Sequence, residues 1–181
     1  PPIGRAALIG AVIGALLALD ARTAGGGDGL TQAVVDGGVV LPALVALFLV
    51  RFVAGPLSYA AGTPGGLFAP LLALGALWGA AFAEVADIIV QQPDSGASGL
   101  RGAMILAGMA ALFGAVVRAP LTGMVVVMEM TATTTVALPM LAATAAAVLV
   151  AHLSGSPPVY DSLRERMLAK PAGREEPPPA P

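Results

Sequence analysis

Cysteine is absent from the 181 residues, which removes disulfides and thiolate metal sites from consideration. Histidine occurs once, and no carboxylates cluster inside the apolar runs, so a metal centre has no ligand set to draw on. Charge is the more telling shortage. Only 11% of the residues are Asp, Glu, Lys or Arg, where a soluble domain devotes about a quarter to charge. The few charges gather at Asp20 to Asp36, Glu84 to Arg101 and Asp161 to Glu176. Beyond Arg5, only Arg51, Arg118 and Glu129 interrupt apolar surroundings. A net charge of -2 gives no basic footprint for nucleic acid. A leader is not legible either: Pro1-Pro2 with a single Arg5 does not make an n-region, and there is no initiator Met. The expectation is a chain that begins inside a longer one.

What is present is apolar surface. The composition is 57% apolar and the mean hydropathy is +0.86, which favours a membrane protein over an Ala-rich soluble bundle. Six apolar stretches can be read: Ile3 to Leu19, Val39 to Ala54, Leu67 to Val90, Gly102 to Val117, Pro120 to Met130, and Val136 to Leu153. Helix is expected for each, because an open strand cannot satisfy its backbone in lipid and no barrel-like alternation occurs. Their lengths are uneven. A span takes about 20 helical residues, and Pro120 to Met130 covers only about half of that.

Glycine and proline mark the breaks. Gly25-Gly26-Gly27-Asp28-Gly29 and Gln91-Gln92-Pro93-Asp94-Ser95-Gly96 read as loops. Thr63-Pro64-Gly65-Gly66 separates two apolar runs with no charge nearby, and Arg118-Ala119-Pro120 splits what would otherwise be one helix. Gly55-Pro56 predicts a kink, and the Gly10/Gly14 pair predicts a close helix contact. Interrupted helices at membrane depth are tolerated where protein or a water-filled cavity covers the free backbone, the pattern of transporters that aim half-helices at a substrate. Arg164, Arg166, Lys170 and Arg174 follow the last apolar run, so the C-terminus is expected in the cytoplasm. Tyr160 to Ala169 suits a short helix on the membrane face. Residues 171–181, ending Pro177-Pro178-Pro179-Ala180-Pro181, suit a disordered cytoplasmic tail, leaving 1–170 as the membrane domain.

One constellation carries chemistry. In Gly65-Gly66-Leu67-Phe68-Ala69-Pro70 the glycines relieve crowding and Pro70 prepares a first helical turn. The Leu67 and Phe68 amides are then unpaired donors at a helix N-terminus, where the macrodipole favours negative charge. This makes an anion site without Lys or Arg, and an ion held by dipoles can leave again. The same residues also fit an ordinary turn with a proline start. Tyr160 is either an interfacial anchor or a neutral hydroxyl donor to such an anion.

The run from Leu57 through Gly65-Gly66-Leu67-Phe68-Ala69-Pro70 to Ala76 resembles the GGxFxP signature of the CLC chloride channels and transporters. Ala111-Leu112-Phe113-Gly114-Ala115-Val116-Val117-Arg118-Ala119-Pro120-Leu121-Thr122-Gly123 through Glu129-Met130-Thr131 resembles a second signature of that family, and Pro158-Val159-Tyr160 a third. The order is the family's, and the similarity reaches from the first helix to about Lys170. The resemblance implies an all-α membrane fold of tilted and partial helices, the second part of an inverted-repeat architecture. It implies chloride transport, by a channel or by a Cl-/H+ exchanger, with no covalent chemistry and no cofactor. Gly66, Leu67 and Phe68 would meet the central chloride through backbone amides, and Tyr160 through its hydroxyl. The family also uses a serine in a GSGIP-like loop and a glutamate in a GxExP loop. Neither stands here in its place, since Gly173-Arg174-Glu175-Glu176-Pro177 falls in the tail. Further implications are an N-terminal partner half of the same protein, a location in the plasma or bacterial inner membrane, and a homodimer through the Pro120 to Leu153 helices. Gly123, Val126, Val127, Ala143 and Ala147 are the expected dimer face.

Three groups stay open. Arg118 has either a buried carbonyl partner or aqueous vestibule, or a snorkelling position at the interface. Glu129 suits a hydrogen-bonding role at a polar helix end better than proton carriage. Gly96-Ala97-Ser98-Gly99 with His152 matches the nucleophile and base of a rhomboid-like intramembrane protease, although small residues in a loop explain it as well. A chain that does not conduct and folds only against a partner half is the other alternative.

Overall fold

The computed structural model describes residues 2–61, 65–90 and 97–168, and among these the chain forms eight α-helices. They are α1 Pro2–Leu19, α2 Asp28–Val35, α3 Leu41–Ala60, α4 Phe68–Val90, α5 Ala97–Val117, α6 Pro120–Thr131, α7 Ala137–Leu153 and α8 Val159–Leu168. The proposed tail, the Gln91 to Gly96 loop, and Thr63 and Pro64 lie outside the described residues.

Three helices are long and apolar enough to cross a membrane: Leu41–Ala60, Phe68–Ile89 and Gly99–Val117. The 20 residues of α3 reach about 30 Å at 1.5 Å each. By contrast α6, with 12 residues, reaches about 18 Å and ends inside any bilayer it enters.

Sequence and structure part at four places. Asp28 and Gly29, read as the end of the Gly25 to Gly29 loop, open α2, which runs to Val35 with Leu30 and Val34 buried. Helix α3 continues through Pro56 to Ala60 rather than ending at Ala54. Gly10 and Gly14 have open space where a Cβ would stand, so no helix of the described chain packs there. Gly123 and Val127 point inward, not toward a dimer partner: Val127 is fully buried, and a Cβ on Gly123 would lie 2.8 Å from the Phe113 ring. Leu121, Val125, Leu138, Leu141, Leu149 and Val150 carry the exposed apolar surface of α6 and α7.

The centre of the fold is the crossing of α4 with α5, which α2, α3, α6 and α7 surround. Two backbones touch there. A Cβ on Gly75 would sit 2.6 Å from the Gly108 carbonyl oxygen and 2.6 Å from Met109 Cα. One on Gly79 would sit 2.8 Å from Ile105 Cα. Lipid is as apolar as a leucine side chain, so helices associate in it by close packing rather than by escape from water. Glycine permits that proximity. Leu77, Ile105 and Met109 complete the seam, fully or almost fully buried. Farther along α5, Gly114 accommodates the Thr144 methyl of α7.

The corner between α5 and α6 is drawn by Arg118, which adopts a left-handed φ of 62°. Pro120 follows at the first turn of α6, where its lacking N–H costs nothing. The Arg118 guanidinium donates to the carbonyls of Val148 at 3.2 Å and Ser156 at 2.7 Å. The corner is thereby tied to α7 and to the approach to α8.

Candidate functional site

Helix α4 begins at Phe68, and the Leu67 carbonyl accepts its first bond from the Leu71 amide at 3.1 Å. Phe68 and Ala69 therefore occupy the first two helical positions, and Pro70 the third. Pro70 has no N–H to leave unpaired. Among the described residues, no backbone carbonyl takes the amide hydrogens of Gly66, Leu67, Phe68 or Ala69. The turn and the positive end of a 23-residue helix thus mark one region, a ready attraction for an anion.

That region is a cavity of about 560 Å³ whose lining includes Arg51, Ser58, Tyr59, Gly65, Gly66 and Phe68. A second cavity, about 920 Å³, lies across the same turn and is lined by Phe68, Ala69, Asp28, Gln32, Thr131 and Thr133 among others. Phe68 and Ala69 belong to both walls. The Phe68 ring is 38% exposed and meets Phe113 of α5 edge to face, with centroids 5.0 Å apart. The two long motifs, distant in sequence, touch through these rings.

Two neighbours of the turn were not assigned a role from sequence. Tyr59, near the end of α3, donates its hydroxyl hydrogen to the Gly65 carbonyl. Arg51, one of the few charges on the apolar helices, is only 4% exposed. It donates to the carbonyls of Arg22 at 2.7 Å, Ala24 at 3.0 Å and Gly25 at 2.7 Å. The α1–α2 loop is thus held against α3, forming another wall of the cavity. In that loop Arg22 hydrogen-bonds the Asp20 carboxylate, which holds the acid below the usual carboxylate range. No sequence signal pointed to the carbonyls that Arg51 uses. An aromatic hydroxyl six residues before a double glycine was the available hint for Tyr59.

Gly66 and Phe68 line the cavity, with Leu67 between them. Tyr160, in the first turn of α8, is 54% exposed and is not among the lining residues. Glu129 is exposed and makes no side-chain hydrogen bond among the described residues. The protease pattern is not assembled by any described contact. Ser98 lies in the first turn of α5, whereas His152 is exposed in the last turn of α7 and lines a separate cavity with Arg118 and Ser156. Among the described residues no group of three His, Cys, Asp or Glu could hold a metal.

Interrupted apolar helices around the positive end of α4, with Arg51 in the cavity wall where the sequence leads us to expect no cation, define a multi-helix membrane protein. Comparison with known proteins narrows the class. Residues 1–152 match the family model described as voltage gated chloride channel, and the chain belongs to that family. It is 42% identical over 161 residues to the H(+)/Cl(-) exchange transporter ClcA of Vibrio parahaemolyticus, covering 89% of this chain and 34% of the relative. The Vibrio campbellii protein of the same name is 40% identical over 161 residues, with the same coverage of 89% and 34%. That of Salmonella arizonae is 40% identical over 162 residues, covering 90% of this chain and 33% of the relative. The chain spans about a third of the length of the curated relatives it matches.

Proposed function

We propose that this chain furnishes one wall of a chloride pathway in a protein that exchanges chloride for protons across the cell membrane. The observation that carries the reading is the N-terminus of α4. Its amides at Gly66, Leu67 and Phe68 have no carbonyl partner among the described residues and adjoin a cavity. A helix end of this kind attracts an anion through partial charges, and the weak hold suits an ion that must move on. The Tyr160 hydroxyl adds a neutral donor from α8. The relatives' name, H(+)/Cl(-) exchange transporter, favours exchange over a passive channel and transport over enzymatic chemistry. Chloride is then the transported ion, and no cofactor is needed.

The basic residues after α7, Arg164, Arg166, Lys170 and Arg174, favour a cytoplasmic C-terminus. The exposed apolar faces of α6 and α7 (Leu121, Val125, Leu141 and Leu149) suit a dimer contact. Crystals of the full-length protein soaked in bromide test the site: an anomalous peak is expected within hydrogen-bond reach of the Leu67 and Phe68 amides. A halide bound elsewhere, with none at this helix end, overturns the reading. Tyr160→Phe is expected to weaken binding by about 0.5–1.5 kcal/mol, the net value of one hydrogen bond.

A further inference from the structure

Gly65 and Gly66 pose a question that packing does not answer. A Cβ at either position meets no atom of the described residues within 4 Å, so neither glycine makes room for a neighbour among them. Neither is among the residues with positive φ, so the observed backbone does not require glycine. Two uses of glycine remain: to let something absent from the fold approach the backbone closely, or to permit a second backbone state.

The second state is a rotation of the peptide that joins them. Rotating a peptide plane by half a turn changes ψ of the residue before it and φ of the residue after it. Gly66 would move toward positive φ, which glycine accepts and other residues resist. In a trans peptide the Gly65 carbonyl and the Gly66 N–H point in opposite directions. Rotation therefore exchanges them, presenting an acceptor where a donor had been. At an anion site that exchange replaces attraction by repulsion.

The Tyr59 hydroxyl holds the Gly65 carbonyl, and it is the only side chain of the described residues that hydrogen-bonds to this turn. Rotation breaks that bond. We propose that Tyr59 is a positioning residue: it locks the Gly65–Gly66 peptide with the Gly66 N–H turned opposite the phenol, and so sets anion affinity without touching the ion. This rests on the reading that the α4 N-terminus binds chloride. The placement of Tyr59 supports a link to that site, since it lines the same cavity as Gly65, Gly66 and Phe68.

Tyr59→Phe keeps the ring and removes the lock. In the full-length protein, calorimetric titration with chloride should show affinity reduced about 2- to 10-fold, the worth of one hydrogen bond. Gly66→Ala keeps the N–H but resists positive φ, so in the Tyr59→Phe background it should restore affinity. A role confined to packing would not be repaired by that second change. If wild-type crystals hold bromide at the α4 end and Tyr59→Phe binds chloride as well as wild type, the lock is refuted while the site stands. Weakened binding that Gly66→Ala does not restore refutes it too. Wild-type crystals with no bromide at the α4 end remove the underlying site and the proposal with it.

Discussion

Gly75→Ala tests whether the fold is organised by backbone contact between α4 and α5. The added carbon would start 2.6 Å from the Gly108 carbonyl oxygen and 2.6 Å from Met109 Cα, with the Gly108 carbonyl carbon at 2.9 Å. Ordinary carbon contacts begin at about 3.5 Å, so the helices must part by nearly 1 Å. All three atoms are backbone and cannot swing aside. Overpacking of this kind costs about 1–3 kcal/mol, and a rigid neighbour places it near the upper end. Separation also weakens every pair along the seam, because a gap of about 0.5–1 Å forfeits a quarter to a half of each dispersion well. Against this, alanine gains about 1 kcal/mol over glycine in a helix interior. The net expectation is a loss of about 2 kcal/mol. Gly14→Ala is the control, since its Cβ meets nothing among the described residues within 4 Å, which leaves the helix gain. Unfolding of the two full-length variants in detergent, side by side, reads the difference. If Gly75→Ala matches or exceeds Gly14→Ala in stability, the seam does not hold the fold as described.

Other outcomes follow from the same structure. The isolated 181 residues in liposomes should release no chloride above empty vesicles, because they span about a third of their relatives and leave most of any pathway unbuilt. Arg51→Lys keeps the charge but has one nitrogen where Arg51 uses two to reach three carbonyls, so the Arg22–Gly25 loop should gain protease sensitivity in the full-length protein, and intact Arg51→Lys loops would refute the latch. Cysteines at Leu121 and Leu149 should cross-link between protomers in membranes, whereas cysteine at buried Val127 should not. The reverse pattern would return the dimer contact to the inward face.

The breaks in this fold were the most legible part of it, because proline and glycine act locally. Arg118-Ala119-Pro120 announced the corner, and Pro70 announced the start of α4 to within two residues. Pro56 does not end its helix: α3 runs on through it to Ala60. Helix α2 was hidden by its composition, since Asp28 and Gly29 read as loop and Leu30 and Val34 alone supply its buried face. The bonds made by Arg51 and Arg118 were invisible because their acceptors are main-chain carbonyls, which every residue possesses. The Glu84–Arg101 ion pair, at 3.3 Å, joins residues on opposite sides of the α4–α5 connection and becomes apparent only once those helices lie together. At the site, the donors could be read from the motif, but the hydroxyl that restrains Gly65 belongs to another helix.

The interlocked crossing of α4 and α5 also has a mechanical consequence. Where Gly75 and Gly79 nest against Gly108 and Ile105, neither helix can slide or roll by a fraction of a turn without driving main chain into main chain. The two are therefore expected to move as one strut, which carries a displacement of α5 toward Phe68. Any movement in this part of the chain is therefore pushed beyond the strut, and at its Phe68–Phe113 end it falls on the double glycine before α4 and the Arg118 corner after α5.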